Sequence, residues 1–280
     1  MQVLTTIADL SRWRTSARPA IGFVPTMGSL HEGHLSLVRR ARVENDKVVV
    51  SVFVNPTQFA PNEDFQDYPR DLNHDLGLLE AASVDVVFTP SVDEMYPVGA
   101  STMIEVESLS SILEGASRPG HFRGVATVVC KLLHLVQPAR AYFGEKDYQQ
   151  LQVIQRMVLD LGMPVEVIGC PTIREFDALA MSSRNMYLSL PERQAAAALS
   201  RALFRAEHLY TDGERDASKL QAEVQNNLAK EPLIRTDYVA IVHPLTLQPL
   251  ATLGLERGVL CVAVWIGKTR LIDNIRLGGR

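Results

Sequence analysis

The sequence predicts an α/β fold, with a doubly wound, Rossmann-like parallel sheet followed by a second, smaller α+β domain. Two observations support this prediction. Up to about residue 170, short apolar runs alternate with segments of helical spacing, whereas after Thr172 two helical patterns precede several strand-like runs. Strands that alternate with helices form βαβ units and parallel sheets, and helices grouped before strands are typical of an α+β domain.

Five short runs in the first part have the character of buried strands. They are rich in β-branched residues and contain few polar ones, as expected for parallel strands that are covered on both faces. We place these strands at 20–24, 47–54, 84–89, 139–143 and 164–169.

The segments between these strands repeat apolar residues at intervals of three and four, which predicts amphipathic helices. We place the helices at 34–45, 71–82, 122–136 and 147–161. Ligands of a doubly wound sheet bind beyond the carboxyl ends of its strands. The segment that follows the first strand is therefore a candidate binding site.

The second part begins with a helix start signal. Ser189 and Glu192 form a capping box, and Pro191 lies in the first turn. Together these signals predict a helix over 189–210. A further helix is predicted at 217–229, and strands are predicted at 237–242, 259–266 and 270–275. We therefore divide the chain into domains at 1–173 and 174–280.

Composition limits the possible functions. The 280 residues are 46% hydrophobic and 21% charged, as in ordinary globular proteins, and the net charge of −4 gives no signature of nucleic-acid binding. No apolar run approaches the roughly 20 residues that span a bilayer, so we expect no membrane partner. Cys130, Cys170 and Cys261 are isolated and form no C-x-x-C pair, which favours a reducing compartment. We therefore expect a cytoplasmic protein.

The stretch PTMGSLHEGH at 25–34 follows the first strand and contains two histidines. Zinc proteases place their two histidines four apart on a helix, but His31 and His34 are three apart with Gly33 between them, so we predict no metal site here. Gly28 and Gly33 would let the backbone approach a phosphate, and the helix beginning near His34 would point free N–H groups at it. An ordinary strand-to-helix turn remains the alternative.

Further polar residues follow other predicted strands. Lys146 lies between a strand and a helix, where it can reach a phosphate while Asp147 caps the helix, or it can be an ordinary solvated lysine. The segment 181–185 combines two hydroxyls with a guanidinium, a set suited to triphosphate oxygens but also to a polar linker. Gln58 and Gln150 are neutral donors and acceptors that would, taken alone, be surface amides.

Several blocks carry a resemblance to a known family. The H-E-G-H stretch is similar to the H-x-G-H signature of an adenylyl-transferring superfamily that includes class I aminoacyl-tRNA synthetases. Five blocks in the same order resemble the pantoate–β-alanine ligase family: PTMGSLHEGHLSLV from residue 25, FVNPTQF at 53–59, GHFRGVATVV at 120–129, FGEKDYQQ at 143–150 and LAMSSRN at 179–185.

This resemblance implies an ATP-dependent condensation of (R)-pantoate with β-alanine, which gives pantothenate, AMP and pyrophosphate through a pantoyl-adenylate. It also implies Mg²⁺ accompanying ATP, a homodimer, and a C-terminal domain that forms a lid over the site. Two alternatives are another HxGH-type adenylyltransferase and a non-catalytic nucleotide-binding sensor. The acidic chain, without an apparent basic anticodon-binding domain, argues against a tRNA synthetase-like enzyme, and retention of the histidines, Lys146 and Arg184 argues against a sensor.

The resemblance also implies roles for particular residues. Catalysis is assigned to His34, the family's proton donor, and to His31, Lys146 and Arg184. The implied ATP-binding residues are Met27, Gly28, Ser29, Leu30, His31, Glu32, Gly33, His34, Gly144, Glu145, Lys146, Asp147, Ile173, Met181, Ser182, Ser183 and Arg184. The implied pantoate-binding residues are Gln58, Gln150, Asn55 and His121, and Gln58 is also expected to meet β-alanine.

The sequence departs from the expected pattern at two places. The K-M-S-K-S loop of the superfamily corresponds to Ala180-Met181-Ser182-Ser183-Arg184, which lacks the leading lysine, so the cationic role would fall on Arg184 and Lys146. Ala178 stands where we expect a glycine. Because alanine does not readily adopt a positive φ, this substitution puts the geometry of the loop in question.

Overall fold

A computed structural model of the chain describes residues 1–16, 20–61, 63–254 and 257–278. The chain divides into two compact units. Unit 1 comprises Met1–Glu145 and Gln149–Pro171, and unit 2 comprises Lys146–Tyr148 and Thr172–Arg280. Each unit has its own core of buried aliphatic side chains.

Unit 1 contains the predicted parallel sheet. Its six strands are β1 (Gln2–Leu4), β2 (Ile21–Thr26), β3 (Lys47–Val52), β4 (Val86–Phe88), β5 (Arg140–Gly144) and β6 (Glu166–Cys170). They lie in the order β1-β4-β3-β2-β5-β6, and every neighbouring pair is parallel. The predicted fold class is therefore confirmed. Only β1 was missed among these strands, because it has three residues at the sheet edge and is largely exposed.

The helices of unit 1 include the four predicted from periodicity, α2 (Glu32–Glu44), α3 (Leu72–Ala81), α7 (His121–Val136) and α8 (Tyr148–Asp160). Sequence periodicity did not reveal α1 (Ile7–Ser16), or the one-turn helices α4 (Val92–Met95), α5 (Glu107–Ser110) and α6 (Glu114–Ser117). A single turn is too short to display a repeat of 3.6 residues, which explains the last three omissions.

The strand order places a switch point beside β2. From β2 the chain proceeds through β3 to β4 on one side, and it later returns to β5 on the other side of β2. In open parallel sheets this reversal leaves a crevice at the carboxyl ends of the two strands. The histidine segment follows β2, and Gly144 ends β5, so both belong to this edge of the sheet.

Unit 2 contains an antiparallel sheet in the order β7 (Ile234–Val242), β8 (Gly258–Ile266) and β9 (Thr269–Leu277). Its helices are α9 (Leu190–Ala196), α10 (Ala198–Thr211) and α11 (Ala217–Leu228). The prediction of one helix over 189–210 was wrong, because α9 ends before Ala197. The run of four alanines there has no side-chain pattern that marks the interruption.

The predicted start of α9 is confirmed. The carboxylate of Glu192 accepts hydrogen bonds from the backbone N–H of Ser189 at 2.8 Å and from its hydroxyl at 2.7 Å. Across the described ranges, helices long and apolar enough to cross a membrane are absent.

Candidate active site

The segment 27–34, which we call the histidine loop, makes a sharp turn after β2. Gly28 has φ +82° and Ser29 has φ +51°, so two successive residues adopt the left-handed conformation. The Gly28 N–H donates to Thr26 Oγ1 at 3.2 Å. A Cβ atom at Gly28 would lie 2.9 Å from Asp75 Oδ2 and 3.1 Å from Val52, so both space and conformation require glycine here.

Asp75, in the first turn of α3, holds this loop from the side. Its two carboxylate oxygens accept hydrogen bonds from the Ser29 N–H at 2.9 Å and the Leu30 N–H at 2.8 Å. Asp75 is only 1% exposed, and burial raises the pKa of its carboxyl group although the two backbone bonds oppose that rise. Sequence analysis missed this residue. The available signal was a carboxylate on the buried side of an amphipathic helix, four residues before buried Leu79.

The two histidines are oriented by the backbone around them. His31 Nδ1 accepts from the Gly33 N–H at 3.1 Å, and His34 Nδ1 accepts a longer bond from the His31 N–H at 3.4 Å. The ring centroids are 4.1 Å apart. A neutral imidazole whose Nδ1 accepts a hydrogen bond carries its proton on Nε2. Both rings are therefore set to use Nε2–H as a donor.

These bonds correct one expectation about the start of α2. We expected free backbone N–H groups near His34 to face an anion, but the helix begins at Glu32 and the Gly33 N–H is bonded to His31 Nδ1. The His34 N–H donates to the His31 carbonyl at 2.8 Å. The backbone of the loop is thus largely engaged within the protein, and the imidazoles are the better candidates for phosphate donors.

Three of the predicted pantoate residues come together in unit 1. Asn55 Nδ2 donates to Gln58 Oε1 at 3.1 Å, and the Gln58 carbonyl lies 2.8 Å from His121 Nδ1. Gln58 Nε2 donates in turn to Met27 Sδ at 3.0 Å. Through this last contact the histidine loop and the predicted pantoate residues form one hydrogen-bonded group.

His121 is held neutral in a defined tautomer. Because Gln58 offers only its carbonyl, His121 Nδ1 must be the donor, so Nε2 accepts from Arg118 Nη1 at 3.1 Å. Burial, together with the positive charge of Arg118, lowers the pKa of His121 to about 4. Arg118 itself is paired with Glu63, at 2.6 Å from each carboxylate oxygen. Arg118 and Glu63 were not identified from the sequence, since they are 55 residues apart.

Gln150 occupies the first turn of α8 and is half-buried. Its neighbour Gln149 is buried, and its amide bonds to the backbone of Leu109, Ile112 and Glu114 at 2.7–3.0 Å. Gln149 therefore has a structural role in unit 1. Gln150 remains the candidate for binding a substrate.

Unit 2 contains the other predicted ATP residues. The backbone carbonyl of Lys146 accepts from Asn274 Nδ2 at 2.8 Å, and Lys146 Nζ lies 3.9 Å from Asp147 Oδ1. Asn274 belongs to β9, so the small sheet fixes the backbone at Lys146.

The segment 173–184 of unit 2, which we call the 173–184 hairpin, is closed by an antiparallel bridge between Arg174 and Ala180. The Met181 N–H donates to the Ile173 carbonyl at 3.0 Å. At its tip Ala178 has φ +70°, so this alanine does adopt the glycine-like conformation. Ser182 Oγ accepts from the Arg184 N–H at 3.3 Å and thereby caps the 3₁₀ turn Ser183–Tyr187.

Salt bridges surround the 173–184 hairpin. Arg193 contacts Asp177 and Glu175, each at 2.6 Å, and Arg174 contacts both oxygens of buried Asp273 at 2.6 and 3.0 Å.

The predicted site residues are divided between the two units. Unit 1 contains those at 27–34, Asn55, Gln58, His121, Gly144, Glu145 and Gln150, and unit 2 contains Lys146, Asp147, Ile173 and 181–184.

The H-x-G-H segment lies at the switch point of a parallel sheet, and the backbone orients its imidazoles as donors. This arrangement is typical of enzymes that bind a nucleotide and use it to transfer or activate a group of the substrate. The family model described as pantoate-beta-alanine ligase matches residues 2–276. The chain therefore belongs to the pantoate–β-alanine ligase family.

Individual relatives agree. The chain is 56% identical to the pantothenate synthetase of Chloroflexus aurantiacus, over 100% of this chain and 99% of the relative. The crystal structure of pantothenate synthetase from Thermus thermophilus matches with a TM-score of 0.94 and 52% identity, covering 100% of both chains. A pantoate-beta-alanine ligase from Francisella tularensis, complexed with beta-gamma ATP and beta-alanine, matches with a TM-score of 0.80 and 38% identity, covering 98% of this chain and 97% of that one.

Proposed function

We propose that this chain condenses (R)-pantoate with β-alanine in two steps, with the residues described above in defined roles. The observation that carries the proposal is the His31–His34 pair, which lies at the switch point with both Nδ1 atoms bonded to backbone N–H groups. The family membership and the Francisella relative complexed with beta-gamma ATP and beta-alanine support the choice of substrates.

In the first step a carboxylate oxygen of pantoate attacks the α-phosphorus of ATP. The new O–P bond forms as the bond to the β-phosphate oxygen breaks, and pyrophosphate leaves with that electron pair. The step is needed because an amine cannot displace an oxide ion from a carboxylate, whereas AMP is a good leaving group.

In the second step the neutral amine of β-alanine attacks the carbonyl carbon of the pantoyl-adenylate. A C–N bond forms, the C–O bond to AMP breaks, and the amine loses a proton, which leaves pantothenate. The enzyme contributes mainly by holding the reacting atoms close together and by stabilising charge as it moves.

Within this scheme His34 and His31 donate through Nε2–H to phosphate oxygens, with His34 as the proton donor. Lys146 and Arg184 neutralise the charge that develops during transfer. Gln58 and Gln150 bind pantoate, with Asn55 and His121 in the same group, and Gln58 also meets β-alanine. The remaining ATP contacts come from the histidine loop, Gly144–Asp147, Ile173 and 181–183.

Mg²⁺ is expected to bind through the phosphates of ATP. Mg²⁺ in phosphate-transfer sites keeps several waters and binds substrate phosphates together with few protein groups. Within the described ranges no three His, Cys, Asp or Glu side chains cluster as a metal site. When bound, Mg²⁺ would offset the charge of the phosphate oxygens.

We also propose that the protein is a homodimer, as the family resemblance implies, and that it works in the cytoplasm. Among the described residues, Cys130, Cys170 and Cys261 are not joined in disulfides, which supports a reducing compartment. Light scattering during size-exclusion chromatography checks the oligomeric state.

One assay separates this function from the two alternatives. The protein is incubated with ATP, Mg²⁺, pantoate and β-alanine, and AMP and pantothenate are quantified. We expect AMP and pantothenate in equal amounts, with multiple turnovers only when both acids are present. A different adenylyltransferase would form no pantothenate, and a nucleotide sensor would bind ATP without releasing AMP.

A further inference from the structure

We propose that Asp75 is a positioning residue for adenylate formation, which acts through the backbone of the histidine loop and touches neither substrate. The inference rests on the proposed role of His31 and His34 as phosphate donors. Its basis is the pair of hydrogen bonds from the Ser29 and Leu30 N–H groups to the two oxygens of the Asp75 carboxylate.

The conformation of the loop makes these N–H groups converge. Successive residues in turn-like conformations direct neighbouring N–H groups into one concavity that attracts anions. Gly28 and Ser29 both have positive φ, and the following N–H groups meet the Asp75 carboxylate at 2.9 and 2.8 Å. The anion in this concavity is therefore part of the protein. Phosphate binding is left to groups further along the loop.

Asp75 is also placed to control where the histidines lie. Leu30, which it binds, directly precedes His31 and is 7% exposed, so its side chain is fixed in the core of unit 1. The other end of the turn is fixed by the bond from the Gly28 N–H to Thr26. With Asp75 removed, the middle of the turn loses both of its side-chain hydrogen bonds. A shift of about 1 Å in a reacting group can slow catalysis by as much as about 10²-fold.

The first test is Asp75→Asn, compared with Asp71→Asn. The asparagine side chain of the first variant would keep one acceptor but would turn an NH₂ group toward a backbone N–H, so the loop must move. Asp71 caps the same helix through a bond to the His74 N–H at 3.0 Å, and asparagine caps equally well. We expect Asp75→Asn to slow single-turnover pyrophosphate release at least about 10-fold. The KM for ATP should change less than about threefold, and Asp71→Asn should match the wild type.

A double-mutant cycle separates positioning from general stabilisation. Asp75→Asn is introduced into a His31→Ala/His34→Ala background, and the rate of pyrophosphate release is measured on folded protein. If Asp75 acts by placing the imidazoles, it should change this background less than about twofold. An unchanged 10-fold loss in the background, or an unchanged rate in the single variant, overturns the proposal.

Gly28→Ala provides a second route if Asp75→Asn does not fold, because it displaces the same turn while the carboxylate remains. The same cycle and the same outcomes apply. If the proposed function itself is wrong, the same measurements give a different result. In that case the His31→Ala/His34→Ala protein itself releases pyrophosphate at the wild-type rate, whatever Asp75→Asn does.

Discussion

The histidine loop and the 173–184 hairpin both hold backbone at positive φ, but different interactions stabilise them. The histidine loop has two residues at positive φ, Gly28 and Ser29, and the described hairpin has one, Ala178; both segments carry predicted ATP-binding groups. The histidine loop has a glycine at φ +82° and is held by a buried carboxylate bonded to backbone N–H groups. The hairpin has an alanine at φ +70°, and the carboxylates on it, Glu175 and Asp177, pair with the side chain of Arg193.

This difference should determine how strongly a substitution in each segment affects the protein. Backbone bonds to a buried carboxylate fix the path of the main chain, so small steric changes in the histidine loop should have large effects. Salt bridges between partly exposed side chains are weaker and depend on pH. Changes in the hairpin should therefore have smaller and more graded effects.

His34→Ala should give the largest effect on the reaction. The loss of one donor to developing negative charge costs about 2.7–4 kcal/mol, or roughly 10²–10³ in rate. Because the path of the loop is held by Asp75, we expect thermal stability to change little. Rapid-quench measurement of pyrophosphate checks the rate, and calorimetry checks the fold. A near-normal rate would contradict the role of His34.

Gly28→Ala should give the largest effect on stability. A left-handed alanine costs about 1–2 kcal/mol, and here its Cβ would also press on Asp75, so we expect a loss of about 2 kcal/mol or more in the free energy of unfolding. Gly77→Ala is the matched control, because it lies within α3 and an added Cβ meets nothing within 4 Å. The control should be neutral or stabilising in denaturant titrations. Equal behaviour of the two variants would refute a special role for Gly28.

Arg193→Ala should destabilise unit 2 by about 1–2 kcal/mol, since it removes hydrogen bonds to two partly buried carboxylates. Arg205→Ala, which removes an exposed pair with Glu223, is the control and should cost less than about 0.5 kcal/mol. Chemical denaturation at pH 7 gives both values. A loss at Arg193 no greater than at Arg205 would show that the hairpin does not depend on this network.

The loss of unfolding free energy caused by Arg193→Ala should also depend on pH. In the wild type, the hydrogen bond from Arg193 holds the pKa of Asp177 below the ordinary value of 3.8. A carboxyl group whose pKa is lowered on folding stabilises the protein above that ordinary value and loses the contribution as pH falls through the folded pKa. The difference in the free energy of unfolding between wild type and variant should thus be constant near neutral pH and shrink below about pH 4. A difference that grows on acidification contradicts this pairing.

Ala178→Gly should give the smallest effect, a gain of about 0.5–1 kcal/mol. Glycine relieves the left-handed strain, and the larger entropy of the unfolded chain offsets part of that gain. Ala222→Gly, in the middle of α11, is exposed and should instead cost about 1 kcal/mol. Thermal unfolding of both variants tests the opposite signs. A loss of stability at position 178 would mean that this φ imposes no strain.

The two loops also illustrate how far sequence reasoning reaches. The buried strands were predictable from short runs of β-branched residues with few polar ones, and four helices of unit 1 were predictable from apolar residues at intervals of three and four. The unusual backbone at Ala178 was flagged because the family resemblance leads us to expect a glycine at that position. Asp75, Arg118 and Glu63 were not found, because their roles depend on partners 45 or more residues away that come close only in the folded chain. Local pattern reveals the elements, whereas long-range hydrogen bonds require the structure.

The two-step mechanism is tested most directly by omitting β-alanine. Wild-type protein is mixed with ATP, Mg²⁺ and pantoate in a rapid-quench apparatus, and pyrophosphate and free AMP are followed. We predict a burst of about one pyrophosphate per active site, with AMP retained as the adenylate until β-alanine is added. If no pyrophosphate is released before β-alanine arrives, the adenylate intermediate, and with it the proposed mechanism, is contradicted.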